Sequence, residues 1–130
     1  MSTDGQSGAP QEQIKALKDS IIAIAIEYWR LRKVLERLLN TVDANEQQRY
    51  LGKIRWFAKK TEEALKTAGL SIVNYEGQSY DPGIPASPIN LEDFQPDDKL
   101  YVSQMLEPII VDVDGNIVKT GTIALGRIEE

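Results

Sequence analysis

The sequence predicts an α+β protein in which a helical N-terminal half precedes a small all-β domain. Three observations predict this class. Residues 11–42 carry one continuous helical pattern of apolar residues, the pattern changes after Gly69, and short strand-like segments separated by turn residues follow. We therefore divide the chain into a disordered tail at 1–10, which is small and polar, a helical dimerisation region at 11–69 and a β domain at 70–130.

The first helix is predicted to be long and amphipathic. Over residues 11–42 apolar side chains recur at alternating steps of three and four, the heptad spacing by which helices pack on helices. Further apolar residues, Trp29 among them, widen the apolar face beyond a two-stranded seam. The residues predicted to form a dimer contact are Ile14, Leu17, Ile21, Ile24, Tyr28, Leu31, Leu35 and Leu38.

A second helix is predicted to begin after Asp43. Asp43 and Glu46 have the spacing of a capping box, with aspartate in the place of the usual serine or threonine. Lys66 falls in the predicted last turn and Gly69 just beyond it, as is typical of a helix C-terminus. The short connection makes the helices antiparallel neighbours, but one such hairpin cannot cover the wide face of the first helix. We therefore predict a homodimer with a coiled coil or four-helix bundle.

The β domain is predicted from short apolar segments and the turns between them. Asp114-Gly115 is a good signal for a two-residue hairpin turn. The prolines and glycines of 76–88 indicate a stiff extended loop. Several short strands in one small domain suggest a β-sandwich or a partly open barrel. The predicted strands are 70–75, 89–91, 100–106, 109–113, 116–119 and 122–128.

The residue types that carry most enzyme chemistry are missing. The chain has no cysteine and no histidine, which excludes thiol nucleophiles, disulfides, imidazole bases and the usual zinc sites. No motif would activate a serine or threonine, and paired carboxylates such as Glu92 and Asp93 lie in a polar loop with nothing to bury them. We therefore expect no enzyme activity, no catalytic residue, no cofactor and no small-molecule substrate.

Three side chains near the C-terminus alternate as they do in a calcium-binding loop, namely Asp112, Asp114 and Asn116. The calcium loop of an EF-hand requires glycine at its sixth position and glutamate at its twelfth. Here Gly115 falls at the fourth position and Ile123 at the twelfth. We interpret this segment as a hairpin turn and expect no metal site.

The net charge of −5 is divided unevenly along the chain. Residues 11–69 hold 12 Lys and Arg against 8 Asp and Glu, whereas residues 70–130 hold 3 against 11. The N-terminus has no basic segment followed by an apolar one, and the longest apolar run, 21–26, is too short to span a bilayer. We expect a cytoplasmic protein that does not associate with membranes.

The cations of the helical half are interspersed with glutamates. With Trp29 and Trp56 as stacking platforms, they would suit a nucleic-acid-binding dimer. The alternative is a solvated bundle surface whose tryptophans belong to the core or to an interface, since glutamates can pair with cations at helical spacing. We favour this alternative, and a basic surface for an acidic protein partner stays open. The cations concerned are Arg30, Arg32, Lys33, Arg37, Arg49, Lys53, Arg55, Lys59 and Lys60.

Three segments after the helices match one known family in order and spacing. Residues 65–73 (LKTAGLSIV) are similar to its helix end and first strand, and 77–82 (GQSYDP) resembles its G-x-x-F-D-P. Residues 100–128 resemble its closing region of an apolar strand, a turn and a hairpin. The family's H-E-A-V is replaced by 83–89 (GIPASPI). The chain thus resembles a divergent GrpE, the nucleotide-exchange factor of DnaK-type chaperones.

The resemblance implies a co-chaperone that binds a DnaK-type or related actin-like ATPase and promotes ADP release. The helices would dimerise the protein, and each β domain would contact the ATPase. Two alternatives stay open, a dimeric adaptor or scaffold without exchange activity and a nucleic-acid-binding dimer that uses the basic helical surface. The partner-binding residues that the resemblance implies are Tyr80, Asp81, Pro82, Met105, Leu106, Glu107 and Pro108.

Overall fold

The computed structural model describes residues 3–129, with side chains from Ala9 onward. Two helices precede six short strands, so the predicted α+β class and its order of elements are confirmed. A short 3₁₀ helix at Leu91–Asp93 follows the second strand. The elements are α1 (Thr3–Leu39), α2 (Ala44–Thr67), β1 (Leu70–Val73), β2 (Ala86–Pro88), β3 (Leu100–Glu107), β4 (Ile109–Asp112), β5 (Ile117–Lys119) and β6 (Gly121–Arg127).

Helix α1 extends over 37 residues. It begins at Thr3, where the sequence predicts a disordered tail over 1–10, and the first two residues of that tail lie outside the described part of the chain. Every side chain from 9 to 20 is exposed, so this portion of α1 buries little surface against its own chain. The helix ends at Leu39, close to the predicted end at 40–42.

Helix α2 has the predicted cap. Asp43 has an extended backbone, and its carboxylate accepts a hydrogen bond of 3.0 Å from the backbone N–H of Glu46, which satisfies one of the free donors of the first turn. At the other end Gly69 has φ +77°, a left-handed conformation that favours glycine. Because Leu70, the first residue of β1, follows this glycine directly, the turn fixes the direction in which β1 leaves α2.

The β domain consists of two three-stranded sheets, with strand orders β1-β4-β5 and β2-β6-β3. Strands β3 and β4 are separated only by Pro108, and there the chain passes from one sheet to the other. The predicted strand at 89–91 is wrong, because the strand lies at Ala86–Pro88 and pairs parallel to β6. Its proline is tolerated since β2 is an edge strand, where a missing N–H leaves no ladder bond unmade.

The core of the β domain lies where β3, β4 and β6 meet. Its fully buried side chains include Val102, Met105 and Ile109. Val102 and Met105 both face inward although they are three residues apart, because β3 bulges between Val102 and Gln104 and shifts its pairing with β6. The bulge explains why the alternation of apolar residues in this segment is imperfect.

Candidate interaction surfaces

Trp29 joins the long helix to the β domain. Its side chain is 2% exposed, and its indole N–H donates a hydrogen bond of 2.6 Å to the backbone carbonyl of Met105. Beside this point β3 bulges a second time, between Met105 and Glu107. Strand β3 lies at the edge of its sheet, so at Met105 its outer side offers backbone groups that no neighbouring strand pairs. The indole satisfies one of them, and this contact sets where the β domain sits along α1.

Glu76 satisfies the other backbone group of Met105. Its carboxylate accepts a hydrogen bond of 2.9 Å from the Met105 N–H and forms an ion pair with Lys33 of α1. A second ion pair joins Arg30 of α1 to Glu107 at the end of β3. The helix and the β domain are therefore held together by the buried indole and by two ion pairs.

The contribution of this junction to stability depends on pH through the Glu76 carboxyl group. Burial would raise the pKa of Glu76, but hydrogen bonds from Lys33 and from the Met105 N–H, with the Lys33 charge, bring that pKa below its ordinary value. Because the folded pKa is lowered, the contribution to stability is complete above the unfolded value of about 4.3. It is lost as the pH falls through the folded pKa.

Glu76→Gln should lower the free energy of unfolding at pH 7 by about 1–2 kcal/mol, because the Met105 N–H and Lys33 lose a charged acceptor. The difference from wild type should shrink as the pH falls below about 4. Urea unfolding across this pH range measures both effects. Glu92→Gln, which removes an exposed carboxylate of the 3₁₀ helix, is the matched control, and an equal loss in that variant would contradict the assignment.

The residues implied as partner contacts divide into two groups. Tyr80 is half-buried, while Asp81 and Pro82 are exposed on the turn that follows. Leu106 and Glu107 are half-buried. Met105 and Pro108, in contrast, are fully buried, which corrects their assignment to a contact surface: both belong to the core of the β domain. Glu107 carries structural contacts as well, from Arg30 and from the Thr122 hydroxyl at 2.8 Å.

A groove of about 660 Å³ opens on the β domain beside Tyr80 and Pro82. Leu91 of the 3₁₀ helix and Phe94 after it line the groove, as does Ile128, the residue after β6. Most of its large side chains are apolar or aromatic, which is typical of a surface that binds another molecule. The remaining lining residues are Ser79, Gln95, Pro96, Asp98, Lys99 and Leu100.

The predicted dimer residues also divide into two groups. Tyr28 is buried, with its ring centroid 5.7 Å from that of Phe57 on α2, and Ile21 packs partly against α2 and β1. Both therefore have packing partners within this chain, and their predicted contact with another chain stays a prediction, since each also lines an apolar hollow beside α1. The other six predicted residues are exposed: Ile14, Leu17, Ile24, Leu31, Leu35 and Leu38.

Four of the exposed residues form a stripe along α1, which we call the heptad stripe: Leu17, Ile24, Leu31 and Leu38. They recur every seven residues and are 55–66% exposed. Two apolar hollows of about 240 and 250 Å³ lie between α1 and α2 beside the stripe. Large aliphatic side chains at one heptad position, next to unfilled hollows, are the arrangement that a partner helix covers in coiled coils.

The two tryptophans differ in their surroundings. Trp29 belongs to the core, whereas Trp56 is 62% exposed on α2. Trp56 is therefore not a core residue of this chain, and its place in an interface, the other half of that interpretation, stays a prediction. Helical periodicity separates them: Trp29 belongs to the widened apolar face of α1, whereas Trp56 lies two residues, or about 200°, from Ala58 on the apolar side of α2.

The described residues contain no group of three or more His, Cys, Asp or Glu side chains that could hold a metal ion. At the predicted hairpin turn, the Asp112 carboxylate accepts hydrogen bonds from the backbone N–H groups of Asp114 and Asn116, at 3.0 and 2.9 Å. Gly115 supplies the positive φ of the turn. The hairpin interpretation of this segment is confirmed.

None of the described helices is long and apolar enough to cross a membrane.

Comparisons of the chain with protein-family models, with curated proteins and with solved structures find no match. The basis for a functional proposal is therefore the set of surfaces above: the heptad stripe, the groove on the β domain and the junction that joins them.

Proposed function

We propose that this protein is a GrpE-like co-chaperone that binds a DnaK-type or related actin-like ATPase and promotes release of ADP. The observation that carries the proposal is the heptad stripe, an exposed apolar surface suited to assembly. It lies on α1, the helix that Trp29 joins to the β domain through its hydrogen bond to Met105. A dimer formed through the stripe presents two β domains in a fixed geometry. The order of helix, helix and small β domain, with the motifs of 65–128, supports this assignment.

Dimerisation covers the heptad stripe and fills the hollows beside it. A large apolar side chain contributes about 1.5–3 kcal/mol when it is removed from water. The stripe supplies four such residues per chain, so a symmetric pair buries eight. In a C2 dimer the same stripe serves both chains, as closed assemblies require.

The groove beside Tyr80 and Pro82 is the surface through which the β domain binds the ATPase. Most of the large side chains that line it are apolar or aromatic, and the exposed Asp81 lies on the Tyr80–Pro82 turn beside it. Exchange needs no reacting group: a protein that binds the open ATPase lobe more tightly than the closed, nucleotide-bound lobe shifts the equilibrium towards release. Such coupling typically amounts to about 1–3 kcal/mol, or roughly 5- to 150-fold in affinity.

Fluorescent ADP bound to a DnaK-type ATPase provides the test. Adding the protein should speed the decay of the ADP signal in stopped flow, and ADP should weaken binding of the protein by the same coupling factor. Leu91→Ser should remove most of the acceleration, because it places a hydroxyl in the groove wall. Ile117→Ser is the matched control, since both residues are 45% exposed but Ile117 lies on the other sheet. Equal rates with and without the protein would contradict the proposal.

A dimeric adaptor without exchange activity is the second candidate. Burial of Met105 and Pro108 favours it, since two of the residues that the GrpE resemblance assigns to the ATPase contact are not at the surface. An adaptor would bind its partner with the same affinity in the presence and absence of ADP. Isothermal titration with and without nucleotide distinguishes the two functions.

A further inference from the structure

A second surface lies on the side of α2 opposite its buried residues, and one of its residues, Lys53, also borders the hollow between the two helices. Arg49, Lys53, Trp56 and Lys60 recur there at steps of four, three and four residues, which places them on one face. Ala58 and Leu65 are the buried residues of α2, and Trp56 lies two residues from Ala58, on nearly the opposite side. We call the four residues, with Gly52, the cationic face.

The centre of the cationic face is an uncovered indole. Trp56 is 62% exposed, and Lys60 Nζ lies 5.8 Å from its ring centroid. Gly52 precedes Trp56 by four residues, so it lies one turn away on the same side of the helix. A side chain at Gly52 would meet no atom within 4 Å. Glycine inside a helix costs about 1 kcal/mol relative to alanine, and no packing contact requires it here.

The glycine therefore leaves an open notch beside the indole, where another chain can approach the helix closely. The cations around it are weakly engaged. Arg49 lies 3.9 Å from Glu46 and Lys60 lies 3.7 Å from Glu63, in exposed pairs, and Lys53 forms no ion pair with any residue that the structure describes. Exposed pairs of this kind contribute little to stability, so these cations are available to carboxylates.

We propose that the cationic face binds a short acidic segment of another protein, which places an apolar side chain against Trp56 and carboxylates against Arg49, Lys53 and Lys60. The extent of the face favours a peptide over a nucleic acid. From Arg49 to Lys60 it covers about 16 Å of helix, and Glu46 and Glu63 lie at its two ends. The continuous phosphate charge of a nucleic acid would run beyond it towards the acidic half of the chain.

A fluorescein-labelled peptide of glutamate, alanine and leucine tests this proposal on the full-length protein. Its anisotropy should rise on binding, and tryptophan emission should shift to shorter wavelength as Trp56 leaves water, since Trp29 is already buried. Trp56→Ala and Lys53→Glu should each weaken binding by about tenfold or more, as expected for a central aromatic anchor and its charged neighbour. The same peptide with lysine in place of glutamate should not bind.

Arg55→Glu is the matched control. It makes the same charge change as Lys53→Glu, on the same helix but two residues on, and therefore on another side of it. It should change the affinity by less than about twofold, as for a charge outside the contact. Equal losses in the two variants, no binding of the glutamate peptide, or tighter binding of a deoxythymidine oligomer that displaces it would each overturn the proposal. None of these results depends on whether the protein accelerates ADP release.

Discussion

The double substitution Ile24→Glu with Leu31→Glu will convert the proposed dimer into single chains of 14.6 kDa. Both residues lie in the middle of the heptad stripe and are exposed in the single chain, so the change leaves the fold of each chain intact. In the dimer it removes four buried apolar side chains at about 2 kcal/mol each, or on the order of 8 kcal/mol. It also places like charges against each other. Light scattering at micromolar concentration measures the mass directly.

Val113→Glu with Ile117→Glu is the control for this experiment. It adds the same charge at two exposed apolar residues, but these lie on the β4–β5 hairpin and not on α1. The control protein should keep the mass of two chains. If wild type has the mass of one chain, or if the stripe variant still has the mass of two, the stripe is not the dimer contact.

Among the single substitutions that we propose, Trp29→Ala will have the largest effect on stability. We expect it to lower the free energy of unfolding by about 3–5 kcal/mol. The substitution empties a fully enclosed site between α1 and the β domain, and it leaves the Met105 carbonyl without its donor. Trp29→Phe keeps an aromatic ring but not the N–H, so it should cost about 1–3 kcal/mol for the unsatisfied carbonyl alone. Denaturant unfolding at one fixed protein concentration gives both values.

Trp56→Ala is the control for Trp29→Ala, because it shows how much of the loss in the free energy of unfolding comes from burial of the tryptophan and how much from its removal alone. It removes the same side chain from an exposed position, and surface substitutions usually change stability by less than about 0.5 kcal/mol. Comparable losses at Trp29 and Trp56 would contradict the contact that we describe between α1 and β3. A Trp29→Phe protein as stable as wild type would show that the hydrogen bond to Met105 contributes nothing.

The helices could be predicted because their signals are local. The heptad spacing of α1, the Asp43 cap and the glycine after α2 each involve residues within a few positions of one another. The strands were harder. Pro88 argues against a strand in the sequence, yet β2 accepts it because it lies at the edge of its sheet. The two bulges of β3 interrupt the alternation by which a strand is normally recognised.

The sequence by itself determined the two helices, the position of the β domain after them, the exclusion of thiol and imidazole chemistry and an apolar face too wide for one partner. Only the tertiary structure decided how that face is divided. Tyr28 and Trp29 are covered within the chain, while the heptad stripe is left exposed. The physical reason is that the indole of Trp29 bonds to a bulge 76 residues away. No pattern of neighbouring residues specifies a pairing between a helix side chain and a distant backbone carbonyl.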